Sequence, residues 1–275
     1  MRLKISHRTE YAYVSPNNYA LQRIRLTPRN GETQRVLSWS ITIEGAQEEV
    51  RYSDQFRNDT RLLSANGAAH NIAVVAEGEV ETRDTAGISG PPEGFAPLWL
   101  FKATTDLTAP GAKLQSFVRS IDADGDLDRL HALMNAIVAA VAYEAGSTNP
   151  ATSAEEAMTL GRGVCQDHAH IFIATARLLG FPARYVSGYL MLDDRVDQVA
   201  GHAWAEAHVE GLGWVSFDPS NGISPDARYV RLALGRDYRD AAPISGIRLG
   251  MLEERLDVRI TVEQVAGGNG QQQNQ

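Results

Sequence analysis

Two patterns of hydrophobic and polar residues divide the chain into a strand-rich first third and a mixed remainder. Over residues 37–43 leucine, tryptophan and isoleucine alternate with serine and threonine, which is the two-residue period of a half-buried strand. Weaker alternation predicts four further strands, over 3–13, 20–26, 50–56 and 71–80. No helical period is present here, so we predict an antiparallel β-sandwich-like domain over residues 1–95.

Helical periods begin after Pro110. Apolar residues spaced three and four apart predict amphipathic helices over 114–121 and 127–141. Ser153 and Glu156 have the spacing of a capping box, which predicts a short third helix that Gly161 ends. A fourth helix is predicted to begin at Cys165 and to end before Gly180.

The period returns to two after this helix. It predicts four strands, over 184–191, 202–209, 214–218 and 256–262. Helices followed by strands indicate an α+β unit, so we assign residues 96–265 to a core of helices packed on an antiparallel sheet, with the last strand included. Residues 266–275 are rich in Gly, Gln and Asn, and we expect this tail to be disordered.

Composition restricts the class of partner. The 275 residues include 26 Lys and Arg against 34 Asp and Glu, a formal net charge of −8, which argues against nucleic acid as the main partner. No apolar run approaches the ~18 residues of a membrane span, and polar residues interrupt the N-terminal segment, so no signal peptide is predicted. We therefore expect a cytoplasmic protein without membrane contact.

Cys165 is the single cysteine of the chain, which excludes an intramolecular disulfide. A lone cysteine is often a small buried residue of the core, and Cys165 does lie on the apolar stripe of its helix. However, it also lies in the predicted first turn, where unpaired N–H groups and the helix dipole lower the pKa of a thiol. Gly161 and Gly163 precede it and leave space for a substrate. Its position therefore suits a nucleophile as well as a core residue.

The partners that a nucleophilic cysteine needs are present downstream. His202 begins one predicted strand and Asp218 ends the next, so a base and a carboxylate to orient it are available. Both residue numbers are even, so the two side chains share a face only if paired residue numbers have an even sum. The hairpin around residues 210–213 must then have an odd-length loop or a bulge. A regular loop of two or four residues would exclude the triad.

Three motifs in this order resemble the core of the bacterial transglutaminase-like family, within the papain-like cysteine-enzyme superfamily. They are GRGVCQDHAH from Gly161, GHAWAEAHVEGLGWVSFDPSNG from Gly201, and GRDY from Gly235. Near the start of the chain, HRTEYAY and RIRLTP resemble the β-rich N-terminal region that is often fused to this core. The resemblance covers nearly the whole chain, most closely over residues 142–238.

The resemblance implies roles for specific residues. Cys165 matches the family's nucleophile, His202 its general base and acid, and Asp218 the residue that orients the histidine. The implied chemistry is acyl transfer at an amide of a protein or peptide through a thioester, with no metal or organic cofactor. Gln166 follows the cysteine, where animal transglutaminases have tryptophan, and the upstream tryptophan that supplies their second oxyanion donor is missing. Tyr143 is a candidate replacement.

Three further residues near these motifs are candidates for the substrate cleft. Asp167 either lines the cleft or only caps the helix, because a carboxylate in the first turn favours the helix dipole. Trp204 and Glu206 share the strand face of His202, although a tryptophan is more often packing than a substrate platform.

Other functions remain open at this level. Cys165 with His168 and His170 could hold zinc only with help from His202 or His208, because residues i and i+2 of a helix do not share a face. Arylamine acetyl transfer and glycan-amide hydrolysis occur in the same superfamily, but the sequence around Cys165 fits them poorly. From another class comes a catalytically silent transglutaminase-fold binding module. The oligomeric state and the acceptor, water or an amine, stay undetermined.

Overall fold

The computed structural model describes residues 1–13, 19–66, 71–249 and 254–265. The predicted disorder of residues 266–275 lies outside the described residues. The strands are β1 (Arg2–Tyr13), β2 (Tyr19–Thr27), β3 (Gln34–Glu44), β4 (Gln47–Ser53), β5 (Asp59–Asn66), β6 (Asn71–Thr82), β7 (Ile88–Gly90), β8 (Ala142–Tyr143), β9 (Arg162–Gly163), β10 (Ala183–Leu190), β11 (Asp197–Gln198), β12 (His202–Val209), β13 (Gly213–Phe217), β14 (Tyr229–Gly235), β15 (Ile244–Leu249) and β16 (Glu254–Gln264). The α-helices are α1 (Ala112–Val118), α2 (Asp126–Ala140), α3 (Ala154–Leu160), α4 (Cys165–Leu178) and α5 (Tyr238–Ala241), and two 3-10 turns precede them.

Two antiparallel sheets form a sandwich around the N-terminal sequence. One has the strand order β11-β16-β1-β6-β3 and the other β15-β2-β5-β4. Leucine, isoleucine and valine side chains from both sheets, Leu3, Ile24 and Leu63 among them, are buried together in one core. The predicted α+β fold with an N-terminal sandwich-like part is confirmed.

Both ends of the chain build this sandwich, which differs from the predicted domain boundaries. The strand predicted at 256–262 lies in β16, which runs antiparallel to β1 with Ser6 opposite Thr261. Strand β15 pairs with β2 in the second sheet. The C-terminal strand was assigned to the 96–265 unit, but its ladder partners belong to the N-terminal sequence. Period-2 patterning identifies a strand and not its neighbour, because side-chain alternation carries no information on pairing.

A third antiparallel sheet with the order β14-β10-β12-β13-β7 forms the centre of the remaining part. Helix α4 packs on one face of this sheet against a row of alanines, Ala203, Ala205 and Ala207, which are buried with Phe172. Small side chains on β12 let the helix axis approach the sheet closely, while α1, α2 and α3 pack around α4. This packing holds the start of α4 at the edge of the sheet where β12 begins.

Among the described residues, no helix combines the length and the apolar character needed to cross a bilayer.

Candidate active site

Cys165 is the first residue of α4, and its free thiol is partly exposed. Val164 precedes it in an extended conformation, with φ −110° and ψ −178°, so the chain turns into the helix at this point. The first N–H groups of a helix have no carbonyl partner within it, and that of Cys165 is one of them. The thiol therefore lies beside unpaired donors at the positive end of a 14-residue helix.

Asp167 fixes this helix start from inside. Its Oδ2 accepts hydrogen bonds from the Val164 N–H at 2.7 Å and from Thr148 Oγ1 at 2.6 Å. The side chain is buried, so it does not line an open cleft. Of the two alternatives left by the sequence, the helix cap agrees with the structure, and the same carboxylate also attaches the loop around Thr148 to the site.

The two glycines before Cys165 have different structural reasons. Gly161 ends α3 in the left-handed region at φ 66°, where a Cβ is unfavourable. Gly163 has no such φ, but a Cβ placed on it would lie 2.7 Å from both Cβ and Oδ2 of Asp167. The close approach of Gly163 to the first turn of α4 therefore requires the absence of a side chain.

His202 and Asp218 share a face, as the register argument requires. Strands β12 and β13 pair with Glu206 opposite Ser216, an even sum of 422, and a three-residue loop connects them. His202 Nε2 lies 2.6 Å from Asp218 Oδ2. The side chain of His202 is 12% exposed and that of Asp218 is fully buried. The histidine therefore reaches the surface at the strand edge while its carboxylate partner stays inside.

Asp218 accepts more hydrogen bonds than its partnership with His202 needs. Its Oδ1 accepts from the N–H and hydroxyl groups of Ser220 and from the Asn221 N–H. Its Oδ2 accepts from Asn221 Nδ2 at 2.7 Å and from the Tyr229 hydroxyl at 2.8 Å, in addition to His202. Burial by itself raises the pKa of Asp218, but the hydrogen bond and charge of His202, with Ser220 and Asn221, hold it far below its usual range. The carboxylate is therefore ionised at neutral pH.

The environment of His202 favours the imidazolium form. Burial by itself lowers the pKa of His202, but the hydrogen bond to Asp218 and the interaction with Cys165 outweigh it and raise the pKa to about 10. Because both the charge of Cys165 and a hydrogen bond with its side chain contribute to this shift, the thiol lies close to the ring. Because Nε2 is bonded to Asp218, Nδ1 is the ring nitrogen left for the thiol. The three residues predicted from the sequence are thus brought together.

Tyr143 lies on the other side of the thiol. In the parallel pair of β8 and β9 it is opposite Gly163, two residues before Cys165. Its ring stacks on that of His168 in the first turns of α4, with centroids 6.2 Å apart and planes at 25°. The side chain is 60% exposed, and burial together with the charges of Cys165 and Asp218 raises the pKa of its phenol. Tyr143 is therefore an exposed aromatic residue close enough to the thiol for the two side chains to interact.

Comparison with known proteins identifies the family of this chain. The model of the transglutaminase-like superfamily matches residues 115–219, and that of the bacterial transglutaminase-like N-terminal region matches residues 3–81. An uncharacterised protein of Mycobacterium tuberculosis is 31% identical over 275 aligned residues, covering 90% of this chain and 87% of its own length. This chain belongs to the transglutaminase-like superfamily.

Other known proteins are similar to this chain over different shares of its length. An uncharacterised protein of Mycobacterium leprae is 29% identical over 96% of this chain and 99% of its own. A Pseudomonas aeruginosa protein-glutamine gamma-glutamyltransferase is 31% identical over 109 residues, which is 36% of this chain and 16% of that protein. A solved Cytophaga hutchinsonii structure, described as a candidate cysteine protease, has a TM-score of 0.75 at 24% identity and covers 97% of this chain and 92% of its own. That structure shows the fold shared by this transglutaminase-like chain.

Two cleft residues predicted from the strand face of His202 lie elsewhere in this transglutaminase-like core. Glu206 is buried and pairs with Arg184 at a hydrogen-bond distance of 2.6 Å, while Arg231 lies 3.6 Å from its other oxygen. The prediction that Glu206 lines the cleft is wrong, because Glu206 is buried on the sheet face opposite α4, where it also accepts a hydrogen bond from Ser89. Trp204 is also buried and stacks at 27° on the His202 ring, 6.2 Å away. It supports the histidine and has no surface for substrate.

The histidines of α4 are occupied by structural contacts. Both ring nitrogens of His168 lie about hydrogen-bond distance from carbonyl oxygens, 2.9 Å from Val164 and 3.0 Å from Val141. His170 is buried, accepts from the Tyr238 N–H, and has its pKa lowered to about 3 by burial first and by nearby arginines second. In the described part of the chain, no group of three or more His, Cys, Asp and Glu residues is arranged to hold a metal. The zinc alternative has no set of ligands there.

Sequence reasoning missed the donors that surround Asp218. Ser220, Asn221 and Tyr229 were not predicted as hydrogen-bond partners of Asp218. A serine and an asparagine two and three residues after an aspartate are an available signal, since such residues commonly bond to a carboxylate in a turn. Tyr229 lies on β14, which the sequence pattern did not identify, so no local signal pointed to it.

Proposed function

We propose that this chain is a cysteine-nucleophile enzyme that acts on amide bonds of proteins or peptides through a thioester acyl-enzyme. The observation that carries the proposal is the arrangement at one sheet edge of Cys165, His202 and Asp218. The thiol lies at a helix N-terminus and within reach of an imidazole, and that imidazole is bonded to a buried carboxylate at 2.6 Å. Membership of the transglutaminase-like superfamily supports the same chemistry.

The proposed reaction begins with proton transfer inside the site. The imidazole of His202 takes the proton of the Cys165 thiol, and the raised pKa of His202 favours the resulting thiolate–imidazolium pair. The thiolate attacks the carbonyl carbon of the amide and forms a tetrahedral intermediate. His202 then donates its proton to the amide nitrogen, the amine leaves, and a thioester remains on Cys165. Water or a second amine, deprotonated by His202, attacks the thioester and regenerates the thiol.

Stabilisation of the developing oxyanion requires donors that are fixed before reaction. The N–H of Cys165 is one such donor, since it has no partner within α4. Tyr143 is the second donor in this proposal, because the residue is largely exposed, its phenol stays protonated well above neutral pH, and it lies on the strand adjacent to Gly163. It takes the place of the tryptophan that the animal enzymes of the family use.

The experiment compares three reactions of one acyl-enzyme on the same substrate panel. Ammonia release reports deamidation of glutamine peptides, loss of intact peptide reports proteolysis, and incorporation of a labelled amine reports acyl transfer. The wild-type chain is expected to perform at least one of them, and Cys165→Ala is expected to perform none. Any activity that survives in Cys165→Ala contradicts the proposal.

A measurement without substrate separates an inactive scaffold from an enzyme whose substrate was not included. Iodoacetamide alkylation of Cys165 at pH 6 is expected to be much faster in wild type than in His202→Gln, because the imidazolium of His202 stabilises the thiolate. Equal rates in the two proteins would contradict the proposed ion pair and favour a catalytically silent binding module.

A further inference from the structure

Tyr229 makes a contact with the site that the proposed reaction does not use. Its hydroxyl donates to Asp218 Oδ2 at 2.8 Å, the same oxygen that lies 2.6 Å from His202 Nε2. We propose that Tyr229 is a positioning residue, which fixes the orientation of Asp218 and through it the ring of His202. This inference rests on the proposed function, because it concerns the same site.

Tyr229 lies on a different structural element from Ser220 and Asn221, which also donate hydrogen bonds to Asp218. Ser220 and Asn221 belong to the turn that follows Asp218, closed by the bridge between Asp218 and Ile223. These donors move with the carboxylate if the turn moves. Tyr229 belongs to β14, which is separated from β13 by β10 and β12 in the sheet. Its hydroxyl therefore attaches the turn to a strand on the opposite side of the sheet.

The phenol itself is held firmly. Tyr229 is opposite Leu190 in the β10–β14 ladder and is buried at 4% exposure. Its ring stands at 84° to that of Trp204, with centroids 5.4 Å apart, and lies 5.8 Å from the ring of His202. Trp204 in turn stacks on His202. Ring packing and one hydrogen bond thus connect Tyr229 to both members of the Asp218–His202 pair.

Proton transfer is not the role that this position suits. Burial raises the pKa of Tyr229, and the charge and hydrogen bond of Asp218 raise it further, so the hydroxyl remains a donor throughout the working range of pH. A permanent donor that bonds to the orienting carboxylate fixes geometry, in the way that outer contacts fix the ligands of a metal.

The test removes only the hydroxyl, in Tyr229→Phe, and uses Tyr189→Phe as a matched control. Tyr189 is likewise buried in the same sheet, and among the described residues its hydroxyl bonds to His7 Nδ1 at 2.9 Å and not to Asp218. Both variants lose one buried hydrogen bond of a phenol, so a general loss of stability affects both. We expect kcat of Tyr229→Phe to fall roughly tenfold with KM within about twofold of wild type, and Tyr189→Phe to stay near wild type.

The pH profile of Cys165 alkylation by iodoacetamide supplies the second measurement. Its midpoint is expected to rise by about 0.5 pH unit in Tyr229→Phe relative to Tyr189→Phe, because a less firmly placed carboxylate stabilises the thiolate–imidazolium pair less. A lower melting temperature with unchanged kcat and midpoint would assign Tyr229 a purely structural role and overturn the inference. If the wild-type chain turns over no amide but the midpoint still shifts, the proposed function fails and the positioning role stands.

Discussion

At the scale of single residues, the charge of Asp218 distinguishes this site from a chance contact between a cysteine and a histidine. Replacing Asp218 by Asn keeps the size of the side chain and removes the charge that helps to raise the pKa of His202. The imidazolium of His202 is then less favourable, and the thiolate–imidazolium pair of the proposed reaction is less stable. We expect kcat/KM to fall about 100-fold or more and alkylation at pH 6 to slow in the same variant.

Thermal unfolding is the control for Asp218→Asn. The carboxylate is surrounded by donors from Ser220, Asn221 and Tyr229, and the Nδ2 of an asparagine would face some of them. Part of any loss could therefore come from a displaced turn. Alkylation at pH 6 as fast as in wild type, in a folded variant, would contradict the role assigned to the charge.

Tyr143 offers a residue-scale test of the second oxyanion donor. Tyr143→Phe removes the hydroxyl and retains the ring that stacks on His168. If that hydroxyl stabilises the oxyanion, kcat falls roughly 10- to 100-fold, a little less than for a fixed amide donor, while the rate of Cys165 alkylation is unchanged. Equal kcat in Tyr143→Phe and wild type would contradict the role of Tyr143 and leave the N–H of Cys165 as the remaining oxyanion donor of the proposal.

The residues of the site divide into those that sequence identifies and those that it does not. Cys165, His202 and Asp218 were found because each follows from chain order and local context: a helix start, a strand start and a strand end. Tyr229 was not identified, and Glu206 was wrongly placed in the cleft, for the same physical reason. A side chain's neighbours across a sheet depend on strand order, and strand order is set by tertiary packing that local periodicity does not contain.

At the scale of elements, the position of Cys165 depends on the close contact between β9 and the first turn of α4. Gly163→Ala places a Cβ 2.7 Å from Cβ and Oδ2 of Asp167, the carboxylate that caps the helix. Because the backbone at residue 163 and the first turn of α4 must then move apart, we expect a loss of about 1–3 kcal/mol in the free energy of unfolding and a fall in kcat of at least tenfold. Urea unfolding and steady-state kinetics measure the two effects.

Gly211→Ala, in the loop between β12 and β13, is the matched control for Gly163→Ala. Gly211 has a positive φ of 80° but open space around its missing Cβ, so alanine there costs backbone strain of about 1 kcal/mol without touching the site. Its kcat should equal that of wild type. A fall in kcat of the same size in both variants would show that general destabilisation, and not the helix start, accounts for the effect of Gly163→Ala.

Element prediction was accurate where the periodicity was clear. The capping box at Ser153 and Glu156 is present in α3, and the alternation over 37–43 lies within β3. Among the strands of six or more residues, β5, β14 and β15 were missed, as were the short strands β7, β8, β9 and β11. In β14 the residues from Tyr229 to Gly235 are nearly all buried, so their pattern is a continuous apolar run interrupted by Arg231 and not an alternation.

At the scale of the whole molecule, the sandwich and the helix-bearing sheet are connected through buried polar contacts as well as apolar packing. His7 of β1 lies 2.9 Å from the hydroxyl of Tyr189 in β10, and its other nitrogen lies 3.1 Å from Thr9 Oγ1. The core residues Leu3 and Ile5 are buried with Tyr189 and Val230. Strand β10 pairs with β12, which carries His202, and β14 carries Tyr229. Formation of the site therefore accompanies docking of the two parts.

This connection predicts how the stability of the molecule depends on pH. Burial lowers the pKa of His7 to about 4, against 6.5 in the unfolded chain. Between these values the unfolded state binds more protons than the folded state, so stability is lost as the pH falls through 6.5 towards 4. From pH 7 to pH 5 the loss due to His7 is about 2 kcal/mol, at ~1.4 kcal/mol per pH unit below 6.5.

Urea unfolding of wild type and His7→Gln at pH 7 and pH 5 isolates this contribution. The variant is less stable at pH 7, because it loses packing and the contact with Tyr189, but its stability should fall by about 2 kcal/mol less than that of wild type on acidification. His170, with its pKa lowered to about 3 by burial first, remains in both proteins, so some acid sensitivity persists in the variant. An identical pH dependence of stability in the two proteins would show that protonation of His7, where the two parts of the fold meet, does not contribute to the loss of stability in acid.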